Sequence, residues 1–318
     1  MTATTSYQAG QEATLARLAY VQEAAWGVTP ASKLQQIRFT GESLRGQKTR
    51  SRPSEINSSR AVSTAVTTEE SAGGGINFGL SYGTFDDLLS GLLSGDWTAA
   101  SGAASLTNGS VFKSYTFETS FSAALFMQYP GSQITGGTIS VQRGQFLSGS
   151  LTVMSKQELS ATTSLSTGGT YTAPTTGRVF DPIGGIKEVF VDGAAVAAVC
   201  NSVSLNITND GAGADYGLGS AAAQGMRMGV FGCSGSVEFY FRDFALYQRF
   251  KAETIGSFSF RALDAAGNGY RFTLPAAALM NPQINAGAPG QPVMASFDLE
   301  GNPDATGVVL KIDRVPAT

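Results

Sequence analysis

The sequence predicts a mainly β chain made of two successive units, each carrying one helix. Three observations lead there. Apolar and polar residues alternate in segment after segment, the period of a half-buried strand. Glycine occurs 39 times in 318 residues, beside frequent Ser and Thr, as suits a chain with many turns. One passage is also written twice: GINFGLSYGTFDDLLSGLL at residues 75–93 and GSVEFYFRDFALYQRFKAE at 235–253. With Ile76 set over Val237, 161 residues on, Phe78 meets Phe239, Leu80 meets Phe241, Phe85 meets Leu246 and Leu89 meets Phe250.

The elements follow in chain order. Residues 1–20 have no basic start and no apolar run, so no signal peptide is expected. Ser43-Leu44 align with Ser204-Leu205, and the step to the next strand, Leu44 to Ile76 or Leu205 to Val237, is 32 residues in both units. Between these strands the spacing predicts a long loop. In the first unit it is basic, with Arg45, Lys48, Arg50, Arg52 and Arg60, and Glu55 among them; in the second it is rich in Gly and Ala. Loops of this length are functional or disordered. The first is expected to order only on assembly.

Period two then gives way to period 3.6. In TFDDLLSGLLSGDW, Thr84 is placed to cap a helix with Asp87 three residues on. Phe85, Leu88, Leu89, Leu92 and Leu93 form its apolar face. Helices are expected over 84–95 and 243–252, with Asp243 capping the second. The stretches 114–121, 137–155 and 202–208 alternate as strands, and GSFSFRAL and GYRFTL read as a hairpin turning at Asn268-Gly269. GQFLSGSLTV at 144–153 matches GQPVMASFDL at 290–299 with an offset of 146, because the first unit holds an extra 15 residues, DWTAASGAASLTNGS. The expected organisation is a first domain over 1–164, a linker over 165–185 and a second domain over 186–318. Trp26, Phe78, Leu88, Leu92, Phe239, Phe241 and Phe250 are the expected core anchors.

Composition narrows the function. The chain lacks histidine altogether, the commonest general base and metal ligand. Enzymatic function ranks last. A net charge of −3 argues against a dedicated nucleic-acid binder. Only 14% of residues are charged, which suits a surface in contact with other subunits. Cys200 and Cys233 align with apolar Phe39 and Ala72 and read as small buried hydrophobes. Asp86-Asp87 lie in a first helical turn, where acids favour the dipole. Gly73–Gly75 lack the Lys-Ser/Thr of a phosphate loop. Residues 209–217 have too few carboxylates for a calcium loop. The basic loop suits phosphate or an acidic protein neighbour, and the absence of interleaved aromatics favours the protein. No cofactor or metal site emerges.

The segment AYVQEAAWGVTPA at 19–31 resembles the opening of the major tail tube proteins of long-tailed, non-contractile bacteriophages. The resemblance rests on Tyr20-Val21, Glu23, Trp26-Gly27 and Thr29-Pro30, followed by RFTGESL and GGGINFGLSYGTFDDLL. It covers most of the first unit and, more loosely, the second. It implies two tandem tube domains, each a β-sandwich or half barrel with one packed helix. The implied function is structural. Copies join edge to edge into rings, three double-domain copies making a pseudo-hexamer, and rings stack into the conduit for genome ejection. The implied partners are the chain itself, other tail proteins, and double-stranded DNA that passes without specific binding. No membrane is involved. The implied place is the virion tail, assembled in the host cytoplasm. Arg45, Lys48, Arg50, Arg52, Glu55 and Arg60 are the expected contacts between rings. The alternative is a β-sandwich adhesin or carbohydrate-binding module of a tail, which the two Trp and the lack of an aromatic platform disfavour.

Overall fold

The computed structural model of the chain describes residues 10–56, 58, 60–98, 103–183 and 185–317. The first nine residues, read above for a signal peptide, lie outside it. The chain is mainly β, with two short α-helices, α1 (Asp86–Leu93) and α2 (Ala245–Lys251).

One strand in each half organises the rest. Leu125–Gln142 is 18 residues long and serves two layers. Its first part pairs with Tyr115–Ser122 on one side and Leu159–Ala161 on the other; Arg17–Gln22 and Gln35–Gln36 extend that layer. Its second part pairs with Ser148–Ser155, which pairs with Val66–Gly79, which pairs with Arg45–Ser51 and Gly41–Glu42. The strand turns its corner at Pro130-Gly131, where Gly131 has φ 65°. Proline gives up a ladder donor there and glycine takes the left-handed conformation.

The second half is built the same way. The first part of Gly269–Asn285 pairs with Gly256–Leu263 and Lys311–Val315, the second with Met294–Asn302. Met294–Asn302 pairs with Val230–Tyr240, which pairs with Cys200–Asp210. Pro275 stands 145 residues after Pro130 and marks the equivalent corner. Three registers repeat. Arg45 faces Gly73 as Asn206 faces Ser234. Ile76 faces Leu151 as Val237 faces Phe297. Ile139 faces Gly149 as Ile284 faces Ala295. A slip of one residue would turn every side chain to the other face, so these matches keep corresponding residues on the same face.

The halves meet through a ladder of their own. Residues 136–142 pair with Cys200–Asp210, Ile139 opposite Leu205 and Val141 opposite Val203. The two large layers are therefore one sheet over a continuous core.

The expected linker is docked to the first half. The Leu165 N–H donates to Glu118 Oε2 at 2.7 Å and Tyr171 Oη to Glu118 Oε1 at 2.6 Å, Val179 bridges to Ser81, and Phe180 is buried. The expected caps differ too. Phe85 and Phe244 occupy the N-cap positions, without side-chain capping bonds. Thr84 Oγ1 lies 2.7 Å from Ser81 Oγ instead, while Asp243 Oδ1 accepts from the Ala245 N–H at 2.9 Å. In the last hairpin Asp264 Oδ1 accepts from the Ala266 and Asn268 N–H groups, Gly267 takes the positive φ of 92°, and Gly269 already belongs to the strand.

Phe78, Leu88, Leu92 and Phe239 are buried. Trp26, Phe241 and Phe250 are half-buried, which corrects the expectation for these three. Trp26 lies over the corner with its indole N–H on Gly131 O at 3.0 Å and Lys156 Nζ 5.0 Å from its ring centre. Its amphipathic ring spans core and solvent. Phe241 packs against the edge of the core, and Phe250 lies on α2, which has no buried residue.

Candidate assembly surface

The large sheet has an unpaired edge at either end among the described residues. One is the outer side of Gly41–Glu42 and Arg45–Ser51, whose ladder runs to Val66–Gly79 alone. The other is the outer side of residues 278–285, laddered only to Met294–Asn302. Unpaired edges are templates for further strands.

Hydrogen bonds show which groups face outward. The Ser43 N–H donates to Gly75 O at 2.9 Å, so Ser43 and Arg45 point inward and Leu44 and Gly46 outward. At the far edge the Phe241 N–H donates to Val293 O at 2.9 Å. By alternation Ala295 also faces Val230–Tyr240, and Ile284, opposite Ala295, directs its N–H and C=O outward. Pro282 offers no N–H there.

In the single chain, side chains occupy the first edge. The Leu44 N–H donates to Glu42 Oε2 at 2.7 Å, the Gly46 N–H to Glu158 Oε2 at 2.7 Å, and Tyr129 Oη donates to Leu44 O at 3.0 Å. Burial pushes the Glu42 carboxyl above its usual value. The Leu44 N–H pulls the other way, since a hydrogen bond to the carboxylate favours the charged form.

The basic segment is not the long loop its sequence suggested. Arg45–Ser51 is a strand paired with Val66–Gly79, and the turn is confined to residues 52–65. RGQKTRS shows no alternation because both of its faces meet water, so the periodicity signal fails while the backbone ladder still forms. The hairpin brings Arg45, Lys48 and Arg50 onto one arm; Arg52, Glu55 and Arg60 lie in its tip, and all six are exposed. Lys48 Nζ pairs with Glu70 at 2.6 Å, Arg50 Nη2 donates to Ala65 O at 2.7 Å, and Arg52 to Ser63 O. The corresponding hairpin of the second half carries a small ladder, Gly213–Asp215 with Gly225–Arg227. The two hairpins touch: the Glu70 N–H donates to Ala221 O at 2.7 Å.

Sequence reasoning missed Ile284 and Pro282 on the far edge, and Leu125, which is 49% exposed; Phe244, read in the sequence as part of the apolar stripe of the second helix with Tyr247 and Phe250, is 58% exposed. The turn Ala123-Ala124 with Leu125 was a visible signal, an apolar hairpin tip where polar residues are usual. Cys200 and Cys233 are free, and burial pushes both thiols up to about 12. Near neutral pH they are protonated and poor nucleophiles.

No described helix is long and apolar enough to cross a membrane. No curated protein matches the sequence. The profile of the family described as phage tail tube protein matches residues 13–301. The chain belongs to that family, and its role is structural, as a component of a phage tail.

Proposed function

We propose that this tail tube protein carries two tube domains in tandem, over 1–164 and 186–318, and that three copies close into a pseudo-hexameric ring. Rings stack into a hollow conduit through which double-stranded DNA passes during ejection. The observation that carries this is the ladder between the halves. Residues 136–142 take Cys200–Asp210 as their next strand. Their counterpart in the second half, ending in Ile284-Asn285, has no next strand among the described residues, and the counterpart of Cys200–Asp210 in the first half is the free edge beginning at Gly41. One copy thus ends in the half-junction with which the next begins. Such heterologous contacts close into a ring, while stacking along the axis stays open.

The internal junction also supplies the register. Ser204 faces Ser140 and Leu205 faces Ile139. Transferred by the repeat, Ser43 of one copy faces Asn285 of the next, and Leu44 faces Ile284. Leu44 and Ile284 exchange backbone bonds, displacing Glu42 and Tyr129. Ser43 and Asn285 form the closer, non-hydrogen-bonded pair. The basic hairpin, standing beyond this edge, contacts the adjoining ring through Arg45, Lys48, Arg50, Arg52, Glu55 and Arg60. The lumen passes DNA without holding it, since phosphate contacts would slow ejection.

The test mixes two variants, Ser43→Cys and Asn285→Cys, each with one reactive thiol. Any disulfide between them joins two chains. The reading expects cross-linked rings and tubes by electron microscopy. Monomers at every concentration, or tubes in which the two introduced thiols stay unlinked, overturn ring closure at this register.

A further inference from the structure

The two helices have different surroundings. α1 is enclosed: Leu88, Leu89, Leu92 and Leu93 are buried, and the second half closes over it. Tyr270 and Arg314 both bond Asp86 in its first turn, and Asn209 Nδ2 donates to Leu92 O at 3.2 Å. α2 has no buried residue. Along it Phe241, Phe244, Tyr247 and Phe250 form a ladder of rings, with successive centres 5.3, 5.9 and 6.1 Å apart. A groove beside the stripe is lined by Val196, Ala198, Phe241, Leu246, Tyr247 and Ile284. Ile284 belongs to the free edge as well, so groove and edge are continuous.

We infer that a second copy of this chain covers α2, and that it does so with Leu125. This rests on the ring reading above and adds a contact that strand pairing does not specify. The half that supplies Cys200–Asp210 to the internal ladder also supplies Tyr270 to α1. Between copies, the half that supplies the Gly41–Glu42 edge must then supply the counterpart of Tyr270. Phe117 faces Tyr129 as Phe258 faces Leu274, and counting back along the strand from Tyr129 and Leu274 sets Leu125 over Tyr270. The chemistry changes on both sides together. Tyr270 reaches a carboxylate in the first turn of α1. Leu125, at the apolar tip Ala123-Ala124-Leu125, reaches Phe244 and Tyr247 in the first turn of α2. Leu125 and Phe244 are 49% and 58% exposed in the single chain, and burying both together adds to the hydrophobic term of ring closure.

Two variants with one reactive cysteine each, Phe244→Cys and Leu125→Cys, are mixed under assembly conditions and treated with a short bismaleimide. The expected product is a dimer of the two different chains, with the Ser43→Cys and Asn285→Cys mixture as reference. In parallel, Leu125→Asp is expected to keep its fold by circular dichroism and to need a roughly tenfold higher concentration to assemble. If the reference pair links and tubes form, but Phe244→Cys does not link to Leu125→Cys, the α2 contact is wrong and the ring survives. Normal assembly of Leu125→Asp overturns the contact likewise. If neither pair links and no ring forms, both readings fall.

Discussion

α1 and α2 occupy equivalent places in the two halves, each packed on the second part of its long strand, and they solve different problems. α1 is sealed by its own half and by the other. Tyr20 Oη donates to Asp87 Oδ2 at 3.1 Å, Tyr115 Oη to Asp87 O at 2.7 Å, and the Trp97 indole to Asp86 O at 3.0 Å. The segment after it folds back as well, with Lys113 Nζ on Gly95 O at 2.9 Å and Asp96 Oδ1 at 2.6 Å. The second half lacks the matching 15-residue insertion, so α2 keeps its aromatic face open. The difference teaches that burial in this fold depends on what lies next along the sheet. The first half has a neighbour in the chain, and the second has none.

The sharpest way to break that comparison is to truncate both faces in the unassembled chain. Leu88→Ala and Leu92→Ala should each cost about 2–5 kcal/mol, the range for a buried leucine. Phe250→Ala should cost well under half of that, because its ring is half-exposed in the single chain. Denaturant unfolding of dilute protein measures both. Equal costs would mean that α2 is sealed within one chain.

A smaller effect sits at Gly91. In an open helix Gly→Ala gains up to about 1 kcal/mol. Here an added Cβ would lie 2.6 Å from the Tyr115 ring, and Tyr115 is fixed by its bond to Asp87 O. Gly91→Ala should therefore lose about 1–3 kcal/mol through overpacking, read as a fall in melting temperature. A gain would show that the seal over α1 gives way.

How much of this contrast was legible depends on which signal each part leaves. The β class and the two helices could be read because burial imposes periodicity: Ile76 and Phe78 alternate as a strand requires, Leu88 and Leu92 recur at helical spacing, and all four are buried. The strand Arg45–Ser51 could not, since a ladder solvated on both faces asks nothing of its side chains. Trp26, Phe241 and Phe250 read as core because an apolar residue looks alike whether its own chain covers it or another does. The seal on α1 was hidden as well. Tyr270 and Arg314 reach Asp86 from 184 and 228 residues away, and no local pattern announces them.

Acid offers a subtler probe of the seal. Burial holds the Asp86 carboxyl above its usual value, against the opposing pull of the Tyr270 bond and of Arg314. A carboxyl raised in the folded state takes its proton there before it does in the unfolded chain, so its contribution is present at low pH and lost as pH rises through the raised value. The melting temperature of the wild type relative to Asp86→Asn should therefore rise as pH falls from about 7 to about 4. A difference that shrinks on acidification would mean that Arg314 outweighs burial.

The smallest expected effect on the single chain is at the basic hairpin, where assembly is instead most exposed to change. Arg45, Lys48, Arg50 and Arg52 bury nothing, and of these four Lys48 alone forms an ion pair among the described residues, with Glu70, itself partly exposed. Exposed pairs contribute about 0–1 kcal/mol. Replacing all four by Ser should shift unfolding by no more than about 1 kcal/mol. The ladder from Arg45 to Ser51 should persist, because its bonds are backbone bonds. If the cations meet carboxylates of the next ring, they steer docking along the axis. The variant should then close rings, keep the Ser43→Cys to Asn285→Cys cross-link, and fail to elongate. Salt should mimic it, with tube length falling as ionic strength shortens the reach of exposed charges to about 8–10 Å. The competing reading places these cations in the channel. It expects tubes of normal length from the same variant, and altered passage of DNA alone. Tube length under the microscope decides between an arm that joins rings and one that lines them.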